Sequence, residues 1–188
     1  MLHVCLKSLA AIALALAMFS NVHAVTVYSE SVNGDLSNNG LTPTAINLGL
    51  GSNEIFGTTG QTAGVSDRDY FTVTVPSNLK LTQRIEEAGT QAGGPGSLGF
   101  FAVQSGAQVT LPTNTATAAG LLGWIHYGPT ATDINILPAM GIPTSGSSGF
   151  PPLGPGSYAF WLQDTSAGTF NYGLNFVLAT TPSLRPAG

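Results

Sequence analysis

The clearest structural signal in the chain is residues 66–76, which read Ser-Asp-Arg-Asp-Tyr-Phe-Thr-Val-Thr-Val-Pro. Phe71, Val73 and Val75 alternate with polar neighbours, and this period of two is typical of a half-buried β-strand. Pro76 closes the strand because proline has no N–H group to donate to the next ladder bond. The stretch predicts a central strand whose core face carries Phe71 and Val73.

Similar alternations recur along the chain, each bounded by glycine, proline or asparagine. The strongest is a hairpin in which residues 158–163 alternate up to a turn and residues 170–178 alternate back. Residues 79–85 also alternate, although residues 83–88 include the only good helix formers, and we interpret the segment as a strand. Residues 128–152 are rich in proline and have no sustained period, which predicts a long surface loop.

Many short strands with turn-marked spacing, and no convincing helix, predict an all-β fold. We expect an antiparallel β-sandwich of jelly-roll or immunoglobulin-like type. It should occupy residues 25–179, with residues 180–188 as a flexible tail.

Residues 1–24 have the three-part layout of a secretory signal peptide. Lys7 gives the positive start, residues 9–19 form an apolar run, and residues 22–24 offer small side chains at the cleavage site. The run is shorter than the roughly 20 residues that a transmembrane helix needs. No later segment is long and apolar enough to span a bilayer, and we expect a secreted or periplasmic protein.

The composition of the chain excludes some classes of partner and some kinds of chemistry. The chain has 188 residues, a formal net charge of −4 at pH 7 and only 7% charged residues. Phosphate binding requires clustered Lys and Arg, and the five cationic residues are scattered, so we expect no nucleic-acid partner. The single cysteine, Cys5, lies in the predicted signal peptide, so the exported domain has neither disulfides nor a thiol nucleophile.

Catalytic side chains are scarce. His126 is the only histidine after residue 24, and it lies in an apolar stretch without a nucleophile motif such as Gly-x-Ser-x-Gly. Zinc binding would need further His or Cys ligands. Two carboxylates for glycoside hydrolysis can converge from any part of a fold, but Glu86 and Glu87, adjacent on a strand, would point to opposite faces. The sequence therefore predicts a protein that is not an enzyme.

Four of the nine acidic residues group at turns and at the start of the central strand. They are Glu30, Asp35, Asp67 and Asp69. Carboxylate oxygens suit calcium, which takes six to eight oxygen ligands. We take these four residues as candidate calcium ligands, with Arg68 able to supply part of the balancing charge. The alternative is that Asp35 and Asp67 only cap turns.

Exposed aromatic rings would give a surface for carbohydrate, because sugar rings stack on aromatic faces. The candidate ligand-binding residues are Trp161, Trp124 and Tyr127, with Tyr158 and Tyr172 as further aromatics. Trp161 lies on the face opposite Tyr158 and Phe160, which makes it the ring least committed to the core.

Three stretches together resemble a known group of exported domains. They are residues 30–38, Glu-Ser-Val-Asn-Gly-Asp-Leu-Ser-Asn, the strand at residues 66–76, and residues 153–161, Leu-Gly-Pro-Gly-Ser-Tyr-Ala-Phe-Trp. They resemble the β-sandwich domains of exported Gram-negative proteins with a PEP-CTERM sorting tail. Residues 67–71 with the final hairpin are similar, more distantly, to the bacterial pre-peptidase C-terminal domain.

The resemblance implies a jelly-roll-like sandwich, export, and association with the cell surface or exopolysaccharide, without catalysis. Residues 180–188 lack the Pro-Glu-Pro, apolar helix and basic cluster of the sorting tail, so we expect release to the periplasm or the outside. The leading hypothesis is a secreted non-catalytic domain that associates with the cell surface or with exopolysaccharide. Its partner would be an extracellular polysaccharide or a surface protein. The alternatives are a carbohydrate-binding module and, less favoured, a glycoside hydrolase.

Overall fold

The computed structural model describes residues 23–93, 99–114, 118–128, 133–140 and 153–182. All but the last two residues of the predicted signal peptide, and the predicted tail from residue 183 onward, lie outside these ranges. The described elements are β1 (Val25–Ser29), α1 (Glu30–Asn33), β2 (Thr44–Ile46), β3 (Gly51–Thr62), β4 (Val65–Val75), β5 (Leu79–Glu86), β6 (Gly99–Ser105), β7 (Gly123–Tyr127), β8 (Ile134–Asn135), α2 (Leu137–Met140), β9 (Gly156–Gln163) and β10 (Gly168–Thr180).

The strands form one curled sheet in the order β7-β6-β9-β4-β3-β10-β5-β8. β1 pairs with β3 and β2 pairs with β4, both in parallel, and all other pairings are antiparallel. The predicted all-β, antiparallel class is confirmed. The jelly-roll or immunoglobulin-like sandwich stays a prediction. Within the described ranges, no helix is long or apolar enough to cross a membrane.

The sheet changes direction at the hairpin between β3 and β4. Only the last residues of β3, from Gly60 to Thr62, pair with the first residues of β4. The rest of β3 pairs with β10, while the rest of β4 pairs with β9 and β2. This divergence gives two groups of strands that share a core.

β4 is a central strand, as predicted. It lies between β3 and β9, and the side chains of Phe71 and Val73 are 0% exposed. The Phe71 ring is centred 5.2 Å from Phe160 of β9 and 5.8 Å from Phe176 of β10. Because β9 and β10 belong to different strand groups, this aromatic cluster joins the two groups through the core.

Residues 79–85, the final pair of strands and the start of the tail follow their sequence patterns to different degrees. The strand interpretation of residues 79–85 is confirmed by β5, and both strands of the predicted final hairpin exist, as β9 and β10. The hairpin itself is wrong, because β9 pairs with β4 and β6 whereas β10 pairs with β3 and β5. The alternation of each strand fixed its faces but not its partner, and the turn between them crosses from one strand group to the other. The flexible tail was expected to begin at residue 180, but Thr180 is the last residue of β10. The N–H of Thr181 also donates to the carbonyl of Asn78 at 3.0 Å, so the described start of the tail is bonded to the domain.

The expected surface loop at residues 128–152 is wrong for one described part. Residues 133–140 contain β8 and α2, and the side chains of Leu137 and Met140 in α2 are fully buried. Two apolar side chains on one helical turn therefore give this proline-rich segment an anchor in the core. Residues 129–132 and 141–152 lie outside the described ranges.

β5 carries an ion pair into the core. Arg84 and Glu86 are both 0% exposed, and Arg84 Nη1 lies 4.0 Å from Glu86 Oε2. The Arg84 guanidinium carbon is 4.1 Å from the centre of the Phe101 ring, a cation–π contact. Burial raises the pKa of Glu86 to about 7, although the charge of Arg84 opposes this rise. Desolvation outweighs the charge of Arg84, so the protonated form of Glu86 is favoured at mildly acid pH.

We expect Phe71→Ala to lower the free energy of unfolding by about 3–5 kcal/mol, because it leaves a cavity between Phe160 and Phe176. Urea unfolding of the purified variant measures this loss. A loss below about 1 kcal/mol would show that the aromatic cluster does not join the two strand groups as described.

We expect Glu86 to make the stability depend on pH. Its pKa in the folded protein, about 7, lies above its ordinary value of 4.5, so the folded state binds the proton more tightly. The contribution of Glu86 to the free energy of unfolding should therefore be full below pH 4.5 and decline as the pH rises towards 7. Denaturant unfolding at pH 5, 6 and 7 should show that Glu86→Gln flattens the profile of the wild type, while Glu87→Gln does not. Parallel profiles for the wild type and Glu86→Gln would contradict the assignment.

Candidate metal centre

A tight turn after β1 supplies the first two carboxylates. The N–H of Ser29 donates to Asn33 Oδ1 at 2.9 Å, and the N–H of Gly34 donates to the carbonyl of Glu30 at 3.0 Å. Gly34 has a φ of 89°, a left-handed conformation that glycine adopts without steric cost. The turn therefore brings the side chains of Glu30 and Asp35 to the same end of the sheet as the start of β4.

β4 supplies the other two carboxylates through its alternation. Asp67 and Asp69 have the same parity along the strand as Phe71, so they continue the core-facing side of β4 towards its first residue. Carboxylate oxygens of Glu30, Asp35 and Asp69 all lie within 4.8 Å of one another. We call these three residues the acidic centre. Asp35 is exposed, Glu30 is half-buried and Asp69 is 0% exposed.

Glu30 is held in place by three elements. The N–H of Thr58 in β3 donates to Oε2 at 2.8 Å, and the N–H of Leu36 donates to Oε1 at 3.3 Å. The hydroxyl of Tyr172 in β10 donates to Oε1 at 3.4 Å. Burial raises the pKa of Glu30, and the two backbone N–H groups oppose that rise. The carboxylate is thus oriented before any ligand arrives.

Asp69 has no such support. Neither of its carboxylate oxygens has a hydrogen-bond partner. Burial, followed by the charge of Glu30, raises the pKa of Asp69 to about 9. The Tyr172 hydroxyl is near enough to Asp69 to oppose this rise in part. Its hydrogen bond, however, goes to Glu30 Oε1 at 3.4 Å. A buried carboxylate without a partner costs several kcal/mol, so Asp69 lacks the group that would make its position favourable.

No lysine or arginine that the structure describes forms an ion pair with the acidic centre. Among the residues that the structure describes, the only ion pair joins Arg84 and Glu86. Arg68, which we expected to help, lies on the opposite face of β4 and its Nε donates to Gln163 Oε1 at 2.9 Å. That expectation is wrong because neighbouring residues on a strand point to opposite faces.

Asp67, the fourth predicted ligand, lies beside the acidic centre and is not one of its three members. Its Oδ1 accepts a long hydrogen bond from Asn38 Nδ2 at 3.5 Å. Burial, and then the charge of Asp35, raises the pKa of Asp67. Asp67 therefore adds negative charge to the neighbourhood of the centre.

The geometry fits a hard divalent cation. Oxygen atoms that share one Ca²⁺ at 2.3–2.6 Å lie at most about 5 Å apart, which matches the separation within the acidic centre. Three carboxylates offer at most six oxygens, and the exposed side of Asp35 leaves room for water to complete the shell. The ion would also supply the partner that Asp69 lacks. Glu30, Asp35 and Asp69 would hold it.

Two residues next to the acidic centre, Tyr172 and Gly57, were not predicted from the sequence as part of a metal site. Tyr172 was considered only as a further aromatic for carbohydrate, and nothing in the sequence singled out Gly57. In the structure a Cβ atom on Gly57 would lie 2.6 Å from Glu30 Cδ and would also meet the Tyr172 hydroxyl. The missing side chain therefore leaves the space that Glu30 and Tyr172 occupy. No local sequence pattern marks either residue, because their roles depend on the pairing of β3 with β10.

The aromatic residues predicted to bind carbohydrate lie elsewhere and are mostly covered. Trp161 does face away from Phe160, but it is only 3% exposed, so the expected exposure is wrong. It packs at 5.7 Å from Tyr70, in a second buried cluster on the outer face that includes Val109 from the loop after β6. Tyr127 is also 3% exposed, and Trp124 is half-buried. Trp161 and Tyr127 therefore present no open ring face.

The acidic centre does not resemble the carboxylate pair of a glycoside hydrolase. Such pairs stand about 5–9 Å apart across an open cleft that admits the substrate. Asp69 is completely buried, and Glu86, the other acid considered, is buried against Arg84. Neither Asp69 nor Glu86 is therefore open to a substrate.

Comparison of the chain with models of known protein families, with characterised proteins and with solved structures finds no match. The relationship to PEP-CTERM-type domains and to the pre-peptidase C-terminal domain stays a prediction from the motifs quoted above. The interpretation of the acidic centre rests on its own geometry.

We expect Gly57→Ala to disturb the acidic centre, because the added methyl group would occupy the space of Glu30 and Tyr172. The free energy of unfolding should fall by about 1–3 kcal/mol, the usual range for overpacking. Gly154→Ala is a matched control, since a Cβ atom there meets nothing within 4 Å. Equal stabilities of the two variants in denaturant unfolding would show that Gly57 does not shape the centre.

Proposed function

We propose that this protein is an exported, non-catalytic β-domain that binds one calcium ion between Glu30, Asp35 and Asp69. The observation that carries the proposal is Asp69, a completely buried carboxylate that has no hydrogen-bond partner and lies beside two further carboxylates. A divalent cation relieves both the repulsion within the group and the missing contact.

The ion would act as a structural tie. Glu30 and Asp35 come from the turn after β1, whereas Asp69 belongs to the central strand β4. An ion bound by all three residues connects the first described segment of the chain to the core. The domain has no disulfide to make such a connection, because the only cysteine precedes residue 24.

The proposed export of the protein agrees with the proposed binding of calcium. Extracellular calcium modules often bind with dissociation constants of about 10⁻⁴ to 10⁻³ M, so such sites fill outside the cytoplasm. The signal-peptide pattern of residues 1–24 supports export. The resemblance to exported surface domains supports association with the cell surface or with exopolysaccharide.

Calcium should raise the thermal stability of the protein. At a concentration one hundred times the dissociation constant, binding to the folded state alone adds about 2.7 kcal/mol to the free energy of unfolding. Asp69→Asn should abolish this dependence, because it removes the buried charge while keeping the shape of the side chain. Asp133→Asn, which changes an exposed acid outside the centre, should leave the dependence intact.

The measurement is a thermal melt in calcium, in magnesium and in chelator, with circular dichroism to show that each variant is folded. A melting temperature that does not respond to millimolar calcium or to chelator would refute the proposal. A response that persists in Asp69→Asn would place the ion somewhere else.

A further inference from the structure

A cleft of about 480 Å³ lies beside the acidic centre, where the turn after β1 meets β3 and β10. Its lining includes Ser31, Phe56, Thr58 and Asn171, together with Glu30 and Tyr172. The volume is in the range of pockets that hold small ligands. The residues contributed by three separate segments surround a single space.

Phe56 gives the cleft an accessible aromatic ring. It is 36% exposed and is the only aromatic among the exposed large hydrophobic residues of the described chain. Gly173 lies opposite it on β10, and a Cβ atom there would come within 2.9 Å of Phe56 Cε1. The glycine therefore lets the ring rest against β10, which fixes its position while part of its surface stays open to solvent.

Polar groups with spare hydrogen-bonding capacity lie around this ring. The backbone of Asn171 is paired with Gln91, but its exposed side-chain amide has no hydrogen bond to any residue that the structure describes. Ser31 is exposed, and within the described ranges its hydroxyl forms a hydrogen bond only with the hydroxyl of Ser29, at 2.9 Å. The lining thus combines an aromatic face with an amide and hydroxyl groups, which is the combination that recognises sugar rings.

The charge of the residues that line the cleft determines whether neutral or acidic sugars are favoured. No lysine or arginine is among the residues that line it, and Glu30 contributes a carboxylate. Asp35, Asp67 and Asp69 stand nearby, so the titratable side chains described around this end of the cleft are acids and bring no positive charge. Uronates, sulfated sugars and phosphates are therefore disfavoured, and neutral hydroxyl-rich ligands are not.

We propose that this cleft binds a neutral saccharide, with one pyranose ring stacked on Phe56 and its hydroxyl groups hydrogen-bonded to Asn171 and Ser31. The site goes beyond the metal centre and shares only Glu30 with it. It also differs from the buried aromatic cluster around Trp161, which offers no ring face to a sugar.

The test uses a glycan array of neutral gluco-, manno- and galacto-oligosaccharides with matched uronate oligosaccharides, followed by calorimetry with the best-bound neutral oligosaccharide. We expect binding to the neutral set. Phe56→Ala should weaken it at least about tenfold, or about 1.4 kcal/mol. Asn171→Ala should also weaken it, whereas Leu50→Ala, which truncates a side chain that is 60% exposed and outside the cleft, should not.

Phe56→Ala should keep the response of the melting temperature to calcium, which separates this inference from the metal centre. The inference is overturned by binding to no oligosaccharide, by preference for uronates, or by wild-type affinity in Phe56→Ala. Neutral-saccharide binding without any calcium response would overturn only the proposed ion. A calcium response without saccharide binding would overturn only the cleft.

Discussion

The alternation of side chains along β4 is the constraint on which both the core and the acidic centre depend. Phe71 and Val73 must face inward for the two groups of strands to share a core, and the contacts of Phe71 with Phe160 and Phe176 fix that choice. The same period of two then sends Asp69 to the core-facing side. A one-residue shift of register would expose both Phe71 and Asp69. Exposure of the aromatic ring would destabilise the fold, whereas exposure of the carboxylate would remove its desolvation cost. Burial of Phe71 therefore holds Asp69 in an environment that is unfavourable for an isolated charge.

The turn from Glu30 to Asp35 determines what happens to that buried carboxylate. It places two more acids within 4.8 Å, so the electrostatic cost rises unless a proton or a cation joins the group. Glu30 is oriented by Thr58, Leu36 and Tyr172, and Gly57 leaves the space for this arrangement. Such a prepared set of oxygens loses little conformational freedom when an ion binds. In the proposed calcium-bound form, relief of this electrostatic cost would contribute to the affinity for the ion.

The outer face of the sheet has two regions with different exposure. Around Trp161, the loop after β6 brings Val109 onto the strands and completes a second apolar cluster. Around Phe56, the neighbouring position on β10 is a glycine, so the ring lies on the strand with part of its surface open. Of Trp161 and Phe56, it is therefore Phe56 that has a ring surface available to a ligand. It is next to the acidic centre because β3 carries Phe56, Gly57 and Thr58 in succession.

Local sequence pattern determined strands β4, β5, β9 and β10, the inward faces of Phe71 and Val73, and the presence of acids in the turn after β1 and at the start of β4. These follow from the period of two and from turn-forming residues, which act over a few neighbouring positions. Tertiary structure alone decided that Glu30 and Asp35 meet Asp69, that Arg68 turns away, and that Trp161 is covered while Phe56 is open. Each of these outcomes depends on which strands pair and on which loop folds over which face, and such contacts join residues far apart in the chain. The physical reason is that burial and charge balance are properties of the assembled sheet, whereas alternation is a property of each strand.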